Sequence, residues 1–206
     1  MPVPNDTIFG IDDETYERIT YGDVRKITDE NKLIRLLQLR LDTFLFKQTE
    51  PITTSFPLIC MSCVAIETLG QIFYKDNKDD TSFRFTSVVG KFSQNFTRKF
   101  DADFKKRLGD LWVENKEISK INTLASLIYT YLRNTMIHGF QGRGVYLSFE
   151  DTTCFIKTDG YLVLNPNWFW GKTKNAYHDL FSTALKGQKT TQERINCLTY
   201  IRKMIA

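Results

Sequence analysis

At 206 residues, 42% hydrophobic and 25% charged, the chain is long enough for one domain with a substantial core and has the balance of an ordinary globular protein. Its net charge of +4 and pI near 8.8 admit an anionic partner but fall short of the strongly basic balance of a dedicated nucleic-acid domain. Four cysteines exclude a disulfide framework, and Cys60 with Cys63, lacking a second C-x-x-C pair, exclude a four-cysteine zinc site; they read as core thiols in a reducing cytoplasm.

Residues 1–13 are polar, acidic and proline-bearing, without the basic start and apolar stretch of a secretory leader, so none is expected. Pro2, Pro4, Gly10 and Gly22 interrupt residues 1–28, which read as an irregular lead-in with at most a short strand or turn near residues 17–20. The first helix is expected over residues 29–47, where Leu33, Leu36, Leu37, Leu41 and Phe44 form one stripe. Thr28 or Asp29 caps it, and Asp29 and Glu30 place negative charge in its first turn. A loop, residues 49–56, leads to a second helix over 57–75, opened by Pro57. Ile59, Cys63, Ile66, Leu69, Gly70 and Phe73 make that helix apolar over much of its circumference, so it belongs at the centre. Its polar residues Ser62, Glu67, Thr68 and Gln71 make it read as too short and too polar for a membrane span, and a soluble protein is expected. Glu67 is its one charge before Lys75; a carboxylate in such a setting sits at a polar edge or has a partner.

After a solvated loop at 75–82, residues 83–112 carry Phe85, Phe92, Phe96, Phe100, Phe104 and Leu108. A spacing of four drifts by about 40° per step on a 3.6-residue helix, so either the stripe winds or the segment breaks. Asp101 or Asp103 is the expected break and cap, giving two shorter helices. The rings read as core rather than base-stacking platforms. Arg98, Lys99, Lys105, Lys106 and Arg107 read as a solvated face, with contacts to an RNA backbone as the alternative.

Residues 119–138 have the pattern of a long helix, started by Ser119 or Asn122 and buried through Ile121, Leu124, Ala125, Ile128, Leu132, Thr135 and Met136. Arg133, Asn134 and His138 close it, with Arg133 and His138 off the stripe, and Gly139 follows, a residue type favoured just past a helix. Histidine titrates near neutral pH and can move a proton. A guanidinium stays charged and grips two phosphate oxygens at once, and Asn134 can orient the histidine or a phosphate. The plain alternative is that Arg133 and His138 complement the helix dipole and cap its carbonyls.

Arg133-Asn134-x-x-x-His138 resembles the R-x4-6-H signature of the HEPN superfamily in its RNxxxH form. Many members are metal-independent endoribonucleases of toxin–antitoxin, abortive-infection and other defence systems, with active sites formed at dimer interfaces. The resemblance implies RNA cleavage by 2′-OH attack: His138 takes the hydroxyl proton or protonates the leaving oxygen, Arg133 stabilises the phosphorane, and Asn134 orients the site. Glu67 is a candidate for facing this cleft and Arg143 for holding the substrate backbone. No metal or cofactor is implied. RNA, a second copy of the chain and an antitoxin or other defence-system component are the implied partners, in the cytoplasm and away from membranes. On a regular helix Arg133 and His138 stand roughly 140° apart, so the arginine wraps round, or His138 lies where the helix ends, or two protomers share one cleft. The competing reading is a non-catalytic HEPN-like module that binds RNA, a nucleotide or a partner protein. Joint exposure of Arg133 and His138 in a basic cleft would favour catalysis; burial of either in a private salt bridge would favour the binding module.

Gly139, Gly142 and Gly144, with Arg143, form a turn that lacks the flanking strand and helix of a dinucleotide fingerprint. Short strands are expected at 145–149, 154–158 and 161–164, the last two joined by a tight turn at Thr158-Asp159-Gly160. A helix is expected over 165–185, apolar at Trp168, Phe169, Tyr177, Leu180 and Phe181 and polar at Lys172, Lys174 and His178, and a last helix covers 192–205. His178 on the former has Lys174 and Asp179 near it but no nucleophile, and reads as a surface or partly buried residue. Ser62, Ser126 and Ser182 lack a nucleophile-elbow setting. The expected architecture is mainly α: one domain over residues 29–206, an antiparallel HEPN-like helical bundle with a small β-hairpin near 145–164, after the motif helix.

Overall fold

A computed structural model describes residues 3–12, 15, 17–74, 80–111, 121–133, 145–151, 154–156 and 162–206. Among them the chain is mainly helical with a small antiparallel hairpin. In chain order the elements are β1 (Ile8–Ile11), β2 (Arg18–Thr20), α1 (Tyr21–Arg25), α2 (Glu30–Leu41), α3 (Lys47–Thr49), α4 (Ser55–Phe73) and α5 (Thr81–Gly90). There follow α6 (Ala102–Leu111), α7 (Leu124–Ile128), β3 (Val145–Leu147), β4 (Cys154–Ile156), β5 (Leu162–Leu164), α8 (Pro166–Lys186) and α9 (Gln192–Ile205). Contacts group the chain into two compact units, one of Met1–Ile52, Gln71–Lys75 and Tyr177–Ala206, the other of Thr53–Gly70 and Asp76–Ala176.

In the first unit the expected irregular lead-in is corrected. β1 and β2 pair antiparallel, Ile8 opposite Thr20 and Ile11 opposite Arg18, with a bulge between Ile8 and Gly10. The cause is one aromatic residue. Phe9 is fully buried, its ring meets Tyr21 edge-on at 5.2 Å, and the Arg40 guanidinium lies 5.2 Å from the Phe9 ring centre. Arg40 also donates to the Phe9 carbonyl at 2.7 Å, tying the hairpin to α2. Asp29 caps α2 by accepting from the Lys32 N–H at 2.8 Å, and Leu33, Leu36, Leu37 and Leu41 are buried as expected. Phe44, expected on the same stripe, is 49% exposed. Residues Asp42–Phe46 form a π-helical turn, which adds a residue to the turn and advances the buried face by roughly 100°. Leu45 and Phe46 therefore face inward. Phe46 stacks on Tyr177 at 4.1 Å, and the Tyr177 hydroxyl donates to Asp42 Oδ1 at 2.7 Å.

In the second unit α4 begins two residues before the expected Pro57 and buries Ile59, Cys63, Ile66 and Leu69. Its 19 residues, with a mean hydropathy of 1.6 over the most apolar window, are long and apolar enough to cross a membrane by length and composition, which corrects the expectation that the run is too short and too polar. A packed core helix meets the same test, and 56% of that window is buried within the fold. Gly70 lets α5 pass close: a Cβ there would lie 3.0 Å from the Cβ and the carbonyl oxygen of Arg84. The phenylalanine series breaks as expected. Asp101 accepts from the Phe104 N–H at 2.7 Å and starts α6, while Phe85, Phe92 and Phe96 are core. Phe92 meets Phe169 at 5.4 Å, and Phe96 stacks on Trp168 at 5.9 Å.

Asn165 caps α8, accepting from the Trp168 N–H at 2.9 Å. The hairpin is present: β4 and β5 pair antiparallel, Cys154 opposite Leu164 and Ile156 opposite Leu162. β3 adds in parallel to the other edge of β5, giving the strand order β3-β5-β4. The expected turn at residues 158–160 lies outside the described residues.

Candidate functional site

The segment leading to the sequence motif starts at Thr123, not at Ser119 or Asn122. Thr123 and Ser126 form a reciprocal capping pair: the Thr123 hydroxyl accepts from the Ser126 N–H at 3.1 Å, and the Ser126 hydroxyl accepts from the Thr123 N–H at 2.9 Å. Such pairs satisfy two N–H groups that a helix start otherwise leaves without partners. α7 then gives way to a second π-helical turn, Tyr129–Arg133. Ile121, Leu124, Ala125, Ile128 and Leu132 are buried, as the stripe predicts, and Tyr131 joins them.

The wider turn has a consequence for Arg133. In α register this residue falls well off the buried stripe; the added residue swings it toward the packed side. Its side chain is 17% exposed and its Nε donates to the Glu67 carboxylate of α4, itself 22% exposed. The guanidinium also lies 5.7 Å from the ring centre of Tyr129, within range of a cation–π attraction. Burial works against the Arg133 charge, but the hydrogen bond and charge of Glu67 outweigh it, with smaller help from Tyr129 and Cys63, and raise the guanidinium pKa. Cys63, one turn before Glu67, has its thiol pushed up, first by burial and then by Cys60 and Glu67 against a smaller opposing effect of Arg133. A thiol held protonated is a poor nucleophile, so Cys63 belongs to the core, as expected of it.

Of the sequence candidates, Arg133 and Glu67 are therefore brought together, while Asn134, His138 and Arg143 lie outside the described residues. No family model, curated protein or solved structure matches this chain. Arg98, Lys99 and Lys106 are exposed, and the Lys105 ammonium donates to Asn122 Oδ1, which ties the basic segment at 98–106 to the start of the motif helix. Among the described residues no group of three or more His, Cys, Asp or Glu side chains is placed to hold a metal ion.

His178 lies exposed in the first unit, in an open groove of about 430 Å³ that it shares with Asn31, Arg35, Gln38, Ser182, Leu185 and Lys186. Besides His178 the sequence singled out only Ser182, as a serine without a nucleophile-elbow setting. The signal for the groove is a spacing: residues 31, 35 and 38 on one helix and 178, 182 and 186 on another recur at three or four, which places each set on one helix face.

Proposed function

We propose that this chain is a metal-independent endoribonuclease of HEPN type, in which Glu67 holds Arg133 ready for the phosphate that His138 helps to break. The fold part of the reading is an antiparallel HEPN-like helical bundle; the biological part is a homodimeric toxin or defence component working on RNA in the cytoplasm. One observation supports it most. Glu67 is the sole charged side chain of a 19-residue apolar helix, and it is bonded to the motif arginine of a different helix. Such a pair fixes the position of a guanidinium before substrate arrives, and preorganised charge is what stabilises a developing phosphorane.

The same pairing favours a second reading. Arg133 is mostly buried in an ion pair, the outcome named above for a non-catalytic module in which the motif serves the fold or a partner contact. Incubation with structured and unstructured RNA in EDTA separates the two. Catalysis gives cleavage that chelation leaves intact, with 2′,3′-cyclic phosphate and 5′-hydroxyl ends. His138→Ala then lowers the cleavage rate by roughly a hundredfold to ten-thousandfold. A substrate with 2′-deoxyribose at the cut site resists; its cleavage, or unchanged activity in His138→Ala, overturns the mechanism. RNA that is bound and left whole by the unaltered chain selects the binding module.

A further inference from the structure

The groove around His178 has the makings of an anion site that is separate in sequence from the motif. On α2 it is lined by Asn31, Arg35 and Gln38, and on α8 by His178, Ser182, Leu185 and Lys186. All of these side chains but Leu185 can donate a hydrogen bond, two carry fixed positive charge, and none is a carboxylate. The nearest acid in sequence to Asn31, Glu30, is already engaged: its two oxygens accept from Arg194 and Arg202, each at 3.0 Å.

One element of the groove is held from behind by the core. Arg194 is 6% exposed, and its guanidinium donates to Asn31 Oδ1 at 2.7 Å and to the Ala184 carbonyl at 3.0 Å. The Asn31 oxygen thus faces a buried cation, and the amide presents its NH₂ on the other side. A buried arginine linking α9 to both groove helices fixes an N–H donor beside the exposed Arg35. Multiple N–H and O–H donors around two cations, with no competing carboxylate, suit a tetrahedral oxyanion.

We infer that this groove binds a phosphate group, carried either by a small phosphorylated ligand or by the backbone of a single-stranded nucleic acid. The inference goes beyond the cleavage chemistry, because it concerns binding alone and involves neither Arg133 nor His138.

The test uses a labelled all-deoxy single strand, which 2′-OH attack cannot cut, with anisotropy read across a salt series, and inorganic phosphate and AMP titrated in parallel by thermal shift. Arg35→Gln with Lys186→Gln is expected to weaken binding of whichever probe the unaltered chain takes by at least about tenfold. For the strand it should also flatten the slope of log K against log salt by about 1.4, two contacts at about 0.7 each. Both side chains are exposed, so the fold is not at stake. Asn31→Asp keeps an acceptor for Arg194 while replacing the donor by negative charge, and should weaken binding as well. Lys26→Gln with Lys203→Gln makes the same change of net charge at exposed sites outside the groove and should stay within about twofold of the unaltered chain, since neither lysine lines the groove. Strand binding that AMP does not displace identifies a backbone track; phosphate or AMP binding without the strand identifies a small-ligand site. Equal losses in the two lysine- and arginine-substituted pairs, full binding in Asn31→Asp, or no binding of any probe overturns the assignment.

Discussion

A guanidinium paired with a carboxylate at less than a quarter exposure is a strong contact only while both partners are present. Removing one charge of a fully buried pair costs about 3–5 kcal/mol, and the residual exposure of Glu67 and Arg133 brings the expected cost down to about 1–3 kcal/mol. Glu67→Gln should therefore lower stability by that amount in urea unfolding while keeping the chain folded. If Glu67 positions a working arginine, the same variant should also lose cleavage beyond its unfolded fraction, and Glu67→Asp should recover part of it. Arg133→Lys should keep a positive charge near Glu67 yet fail to restore cleavage, because a point charge does not reproduce the planar fork. Full cleavage in Glu67→Gln at reduced stability would assign the pair to the fold alone. At this scale the sequence was informative in an indirect way: a lone acid in an apolar helix sits at a polar edge or has a partner, the motif was one place it could face, and the fold pairs it with Arg133.

The elements were legible wherever the period was regular. Helices α2, α4, α8 and α9 fall close to where their apolar spacing predicts, and Asp29 and Asp101 cap as expected. The apolar period misplaced Phe44 at the π-helical turn Asp42–Phe46, because a 3.6-residue template carries a stripe straight through an added residue; at the second such turn, Tyr129–Arg133, Leu132 is buried as expected and Tyr131 is buried without having been expected. In α register Phe44 is core and Leu45 lies at the edge of the stripe; the structure has Phe44 at 49% and Leu45 at 8% exposure. Leu45→Ala should consequently cost about 2–5 kcal/mol, the range for a buried leucine. Phe44→Ala should cost less than about 1 kcal/mol, since the ring lies on the surface beside the Arg40 guanidinium. Denaturant melts of the two variants check this directly, and the reverse order of costs would restore the α register. The two-stranded N-terminal hairpin escaped notice for a different reason. It depends on one buried ring, Phe9, and on Arg40 some thirty residues away, a long-range contact that no local period records.

For the whole molecule the open question is how one short motif assembles a site. A regular helix over the motif would carry His138 roughly 140° round the axis from Arg133, and the two side chains of one protomer would then diverge. A twofold dimer removes the difficulty by bringing the arginine of one protomer toward the histidine of its partner, and a closed twofold makes two such composite sites at once. This arrangement, a proposal that rests on the endoribonuclease reading, has a mixing test. Arg133→Ala and His138→Ala protomers should each be nearly inactive alone. When equal amounts are mixed and allowed to exchange, half the dimers are mixed, and each of those contains one intact pairing of Arg133 with His138 and one site lacking both. Activity should then rise to about a quarter of the unaltered level if association is random. Sites made within one protomer contain no intact pairing in any of these dimers, so the mixture would stay at the level of the single variants. Sedimentation at micromolar concentration supplies the second arm: a dimer is expected, and a monomer with full activity would exclude the shared cleft.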